Sequence, residues 1–244
     1  MLTLRRKRRY AGWLAALAII SVIPLGIYFE PRWLLNLIAR KNPDVLFFVK
    51  TPEKVVALTI DDVPYPTVTP RILDVLGENG AHATFFVIGD HARGNAAILE
   101  RIRREGHELG NHMNHEYPSV RLTPDEFQSE LRMVDQVIQP TPVVKWFRPG
   151  SGWFNTRMLE QARHQGYRCA LGSVYPFDTI TRNERLIAWY VQSQIFPGAV
   201  IILHDGRADR IRTALVLQAV LPRLVQSGYK VVTLSELAAR QSAR

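Results

Sequence analysis

Two carboxylates, Asp61 and Asp62, close the apolar run VVALTI at residues 55–60. Acids in such a position often only cap a turn. Neighbouring side chains of a strand point to opposite faces, however, so an adjacent pair can divide two tasks, one binding a metal and the other taking a proton from water. Downstream, GNHMNHEYPS at residues 110–119 packs His112, His115 and Glu116 into five positions. By itself the stretch is either a polar loop or a metal site, and His112 with His115 is the simplest ligand pair. His112 supplies a nitrogen, and a residue three or four positions later can meet the same ion from one helical face. Such an ion lowers the pKa of bound water and polarises a carbonyl oxygen.

The other reactive side chains follow apolar runs too. His204, in LHDG, comes straight after AVIIL. A lone histidine is more often structural, but this strand exit aims it at the face of the aspartates, which suits a general acid. Asp178 can orient its ring and stabilise the imidazolium. Arg148, in FRPG, is either a surface arginine or the group that keeps Asp61 ionised. Trp153 is either a core residue or a wall for stacking sugar. Metal, base, acid and aromatic wall together fit hydrolysis of an amide or ester on a carbohydrate.

The elements that must position these groups can be read from the pattern. Strand candidates are residues 55–60, 83–88, 107–110, 143–147, 169–174, 199–203 and 230–234. Helical stretches between them include TPRILDVLGENG, with Thr69 as N-cap and Pro70 in the first turn, and TPDEFQSELRMVDQVI, which repeats the opening at Thr123 and Pro124. NTRMLEQARHQG and RTALVLQAVLPRLVQSG end in glycine. Strands alternating with helices predict an α/β fold with a parallel sheet, closed as a (β/α)7-8 barrel or open as a doubly wound sheet. The barrel is favoured because the polar motifs fall at five strand ends, and barrels gather their active sites at that carboxyl face.

The chain has 244 residues, 47% hydrophobic and 22% charged, an ordinary globular composition. Its net charge of +9 owes five charges to the cluster Arg5–Arg9, so a nucleic-acid partner is not expected. Residues 11–29 carry no charged side chain and approach the length that spans a bilayer. The preceding arginines place the N-terminus in the cytoplasm and the rest outside it. A cleaved signal peptide is the competing reading. Trp33, Leu34, Leu37 and Ile38 recur at helical spacing, as in a short amphipathic piece at a membrane surface. The expected organisation is a basic tail (1–10), a transmembrane signal-anchor (11–29), a juxtamembrane linker (30–52) and a catalytic domain (53–240). The single Cys169 cannot form an intrachain disulfide.

Taken in order, TIDDVP, the NH of GNHMNHEYP, RPGSGW, YPFD and ILHD resemble the motifs of the polysaccharide deacetylases, carbohydrate esterase family 4. The likeness extends to HATFFVIGD and GHELGNH and runs over roughly residues 53–238. It implies a distorted (β/α) barrel, a divalent metal (zinc first, with cobalt, manganese or nickel as alternatives) and removal of N-acetyl groups from sugars. By this resemblance Asp61 is the catalytic base, Asp62 and His112 are metal ligands, and Arg148 positions the base. Ser151 falls where a backbone N–H helps bind the oxyanion, Asp178 tunes the catalytic His204, and Ile202 lines the pocket for the acetyl methyl. The register puts the second metal histidine of the family at Glu116, making Glu116 the expected third ligand and His115 its neighbour or substitute. Val63 stands where glycine is usual, Ser151 where tyrosine is usual and Thr179 where tryptophan is usual.

These readings lead to a membrane-anchored, metal-dependent N-deacetylase of a cell-wall or extracellular N-acetylhexosamine glycan, chitin-like or peptidoglycan-like. Two other functions compete with it. One is a catalytically silent glycan-binding protein on the same fold, motivated by Val63 and Glu116. The other is a deacetylase of a different acyl ester or amide, since the constellation serves any acyl transfer to water.

Overall fold

The computed structural model describes residues 31–138 and 145–241. The chain divides into two compact units, Met1–Lys41 and Asn42–Arg244. In the first, helix α1 (Arg32–Lys41) matches the helical spacing of Trp33, Leu34, Leu37 and Ile38, with Trp33 and Leu37 exposed. Among the described residues no helix is long and apolar enough to cross a membrane. The transmembrane segment expected at residues 11–29 lies outside the described residues.

The second unit is built on an eight-stranded parallel sheet. Its strands are β1 (Val45–Leu46), β2 (Val55–Val63), β3 (Ala83–Val87), β4 (Glu108–Asn111), β5 (Lys145–Phe147), β6 (Tyr167–Ala170), β7 (Val200–His204) and β8 (Lys230–Val232). The order is β1-β6-β5-β4-β3-β2-β7, with β8 paired to the first residues of β2. Closure is indirect. The stretch after β6 comes alongside β7, where Ser173 and Val174 donate to the Val200 carbonyl and Ile202 donates to that of Val174. The result is a distorted barrel, the expected class, and an open doubly wound sheet is excluded.

Helices α2 (Thr69–Glu78), α3 (Gly89–Ala92), α4 (Ala96–Arg104), α5 (Pro124–Ile138), α6 (Thr156–His164), α7 (Glu184–Gln194) and α8 (Ile211–Gln226) connect the strands, and α9 (Leu234–Ala238) follows β8. Thr123 caps α5 as expected, its hydroxyl accepting from the Glu126 N–H while Glu126 accepts from the Thr123 N–H at 2.8 Å. Thr69 does not cap α2. It lies inside the helix, and its hydroxyl accepts from the Tyr65 N–H at 2.8 Å and donates to Asp205. Helices α4 and α7 were not among the stretches expected; the near-continuous apolar run LIAWYV in α7 hides the helical period.

Alternation along the strands decides what fills the barrel and what lines its mouth. Val55 and Ala57 of β2, Phe86 of β3, Trp146 of β5, Ala170 of β6 and Val200 of β7 meet in one buried cluster that plugs the amino end. The same phase, continued two or four residues further, presents Thr59, Asp61, Arg148, Ile202 and His204 at the carboxyl end. Gly110 of β4 is needed here, because a Cβ on it would run into the Phe86 ring. The plug excludes water from below, so the charged groups above it share a buried, low-dielectric floor.

Candidate active site

Asp61 is held from one side by Arg148. The guanidinium donates to Asp61 Oδ1 at 2.5 Å, to the Thr59 hydroxyl at 2.8 Å, and to the carbonyls of Ala170 and Leu171 at 3.0 and 2.8 Å. Both side chains are buried. With so many donors committed, the arginine is rigid, and its charge lies directly against the buried carboxylate. The other oxygen, Oδ2, faces the histidines: His112 Nε2 is 3.9 Å away and His204 Nε2 4.0 Å away. One oxygen fixed and the other free is the posture of a general base.

His204 occupies the position opposite Asp61 in the β2–β7 register. Its Nδ1 pairs with Asp178 Oδ1 at 2.9 Å, and its backbone N–H donates to Asp178 Oδ2 at 2.8 Å. Asp178 is itself fixed by Arg210, whose guanidinium donates to the Asp178 carbonyl at 2.9 Å and stands 4.0 Å from Oδ2. Burial disfavours the charged imidazole, but the Asp178 carboxylate, followed by Asp61 and Asp62, outweighs it and pushes His204 up to about 9. At neutral pH this histidine carries the proton that a general acid must give.

Strict alternation would send Asp62 to the face opposite Asp61. Instead Asp62 has φ 64°, in the left-handed region, and the β2–β3 register slips between Ile60 and Val63. The kink turns its carboxylate back, so that Asp62 Oδ1 stands 3.4 Å from His112 Nε2. The His112 Nδ1–H is spent on the Arg148 carbonyl at 2.9 Å, which leaves Nε2 as the nitrogen facing the acids. Burial pulls the two groups towards neutrality, yet each holds the other charged: the Asp62 carboxyl lies below its ordinary value and the His112 ring above its own.

The third expected ligand is placed differently from what its spacing suggested. Residues 112–118 form no helix, because Met113 has φ 72° and breaks the register at once. Glu116 and His112 therefore do not share a helical face. Glu116 is 59% exposed and leans to His91, its Oε2 3.9 Å from the ring Nε2. His91 in turn donates its Nδ1–H to the Asp62 carbonyl, 2.8 Å away. His115 turns the other way, to Glu130 and Asp90. Among the described residues no three His, Cys, Asp or Glu side chains converge into a complete metal site. Asp62 and His112 do suit one: an imidazole whose far nitrogen is locked by a carbonyl, beside a half-buried carboxylate, is the donor set and outer support that divalent ions take.

Around these groups, Ser151 has φ 62° in the single turn Gly150–Gly152, and Ile202 lies against Gly172. Trp153 is 69% exposed, so it is no core residue. Three participants were missed by the sequence reading: His91, Arg210 and Asp205. Asp205 is fully buried with one oxygen on the Thr69 hydroxyl and the other without a partner, and burial pushes it up to about 7. The HD pair after an apolar strand was a signal for Asp205; nothing in the spacing marks Arg210.

A carboxylate clamped by arginine and a histidine raised by aspartate stand side by side at the carboxyl end of a parallel barrel, an arrangement suited to acid–base chemistry. The chain belongs to the polysaccharide deacetylase family, whose model matches residues 48–170. It is 36% identical over 200 residues to a peptidoglycan-N-acetylglucosamine deacetylase of Bacillus cereus, covering 79% of this chain and 92% of that one. Among solved structures, a peptidoglycan N-acetylglucosamine deacetylase bound to a hydroxamic-acid benzamide superposes with a TM-score of 0.78 at 27% identity, covering 84% of this chain and 98% of that one. A family 4 pseudoenzyme from Bacillus anthracis superposes with a TM-score of 0.73 at 26% identity, covering 80% and 69%.

Proposed function

We propose that this protein removes N-acetyl groups from an N-acetylhexosamine glycan of the cell-wall type. The observation that carries the reading is the pair of dyads, Arg148–Asp61 and Asp178–His204, with Asp61 and His204 on neighbouring strands and Nε2 of the acid 4.0 Å from Oδ2 of the base. Its relatives act in the same direction, since the Bacillus cereus protein is named for deacetylating peptidoglycan N-acetylglucosamine.

A divalent ion held by Asp62 and His112, with zinc first, would acidify a water and polarise the acetyl carbonyl. The chain's own residues do the rest. Asp61, held through Oδ1 by Arg148, takes the proton of the attacking water through Oδ2. The backbone N–H at Ser151 supports the oxyanion. His204 delivers its Nε2 proton to the departing amine, and Asp178 stabilises the ring in its charged form until that moment. Ile202 lines the space for the acetyl methyl. Acetate and a free amino sugar leave. The apolar segment 11–29 is proposed to anchor the enzyme, with the catalytic unit outside the cytoplasm.

The silent glycan-binding reading has one observation in its favour, the incomplete third side of the metal site. A panel of peptidoglycan fragments, chitin oligomers and an acetylated xylan, scored for acetate, tests the proposal. Release from the amide-linked substrates supports it. Release from the ester alone would move the substrate class, and glycan binding without any release would favour the silent protein.

A further inference from the structure

His115 lies three residues from His112 yet takes no part in the site, and its surroundings give it a different task. Its Nδ1 pairs with Glu130, a buried carboxylate of α5, and its Nε2 stands 3.5 Å from Asp90. Glu130 also accepts the backbone N–H groups of Asn114 and His115 at 2.8 and 3.0 Å, and the Tyr117 hydroxyl at 3.1 Å. One buried acid thus fixes a whole loop. The His115 and Tyr117 rings lie nearly parallel, 15° apart with centroids at 5.5 Å. Tyr117 is therefore backed on one face, tied at its hydroxyl, and still 41% exposed.

The next loop continues this surface. The Gly150 N–H donates to the Ser119 hydroxyl at 2.8 Å, and a Cβ at Gly150 would collide with the Tyr117 carbonyl. Three residues on stands Trp153, exposed at 69%. Exposed aromatics on two adjoining strand-end loops, the first of them fixed in place, are costly to leave in water and well suited to the apolar face of a pyranose ring.

We propose that Tyr117 and Trp153 form a stacking edge for a hexosamine ring of the substrate chain, one flanking the ring being deacetylated, and that His115 is the positioning residue that backs Tyr117. This rests on the deacetylase reading for its substrate class. It implies that the motif HMNHE splits its tasks, His112 serving the reaction and His115 serving the grip on the polymer.

The test uses the full chain carrying Asp61→Asn, so that an N-acetylglucosamine tetramer stays intact during titration. Tyr117→Ala and Trp153→Ala should each weaken tetramer binding about two- to ten-fold, with monomer binding unmoved and Tyr117→Trp restoring the tetramer. His115→Ala should weaken the tetramer likewise while bound metal, measured by elemental analysis, stays at the parent level. Trp153→Ala keeps the test decisive if a loop variant fails to fold. Unchanged tetramer affinity in the Tyr117→Ala, Trp153→Ala double variant would overturn the stacking edge. Loss of metal from a folded His115→Ala would overturn the role given to His115. If the unsubstituted protein released no acetate but these variants still lost tetramer affinity, the stacking edge would stand and the deacetylase reading would fall.

Discussion

Replacing Asp178 by asparagine removes a negative charge from beside His204 while keeping the side chain's shape. In the intact protein the imidazolium is pushed from an ordinary 6.5 up to about 9. That displacement is on the order of 3 kcal/mol of preference for the charged ring, at ~1.4 kcal/mol per pH unit. Burial opposes the charge and Asp178 is the largest influence favouring it. Without Asp178 the ring should titrate roughly two units lower, near its ordinary value. At about pH 8 the protonated share would then fall from roughly nine-tenths to about one-tenth, a loss of about 10-fold in the acid form. At about pH 6 both proteins keep most of the ring protonated. The assay is the pH profile of acetate release, with the His204 ring followed by NMR. The intact enzyme should lose its acid as pH rises through about 9, and the variant more than a unit earlier. A profile in Asp178→Asn that falls uniformly, with no movement of its alkaline limb, would refute His204 as a general acid tuned by Asp178.

Other consequences are as direct. Asp61→Asn should reduce turnover at least about 1,000-fold with bound metal unchanged by elemental analysis; retained turnover would remove Asp61 from the role of base. Arg148→Met leaves a buried carboxylate without its cation and should destabilise the fold by about 3–5 kcal/mol in urea unfolding. Asp205 has a folded value of about 7 against 3.8, so its stabilising contribution is full below about pH 4 and lost as pH rises through about 7. Asp205→Asn should therefore gain on the native protein by on the order of 2–3 kcal/mol between about pH 5 and pH 8, and a pH-independent difference in melting would contradict a buried, protonated acid. Glu116 leans to His91 and not to His112, so Glu116→Ala should leave metal affinity unchanged in a calorimetric titration, and a clear loss would return Glu116 to the ligand set.

What the sequence made legible followed from simple periodicity. Apolar runs marked the strands, and the polar residues terminating them predicted the mouth of the barrel, including the Arg148–Asp61 and Asp178–His204 pairs that the structure brings together. What it concealed depended on backbone that breaks periodicity. Asp62 reaches His112 only through its left-handed conformation, and Met113 undoes the helix that would have joined Glu116 to His112. Thr69 read as a cap and serves instead to hold Asp205. The pairing of β8 with the start of β2, and the tie from Glu130 to His115 and Tyr117, are long-range choices that no local spacing announces.

The claim that metal, base and acid together release acetate from a glycan is tested most directly by one measurement. Purified full-length protein is given N-acetylated peptidoglycan strands, and acetate and new free amines are counted together, before and after a chelator. Equal amounts of both, lost on chelation and regained with added zinc, are the predicted result. Glycan binding with no acetate, or release that ignores the chelator, would contradict the account.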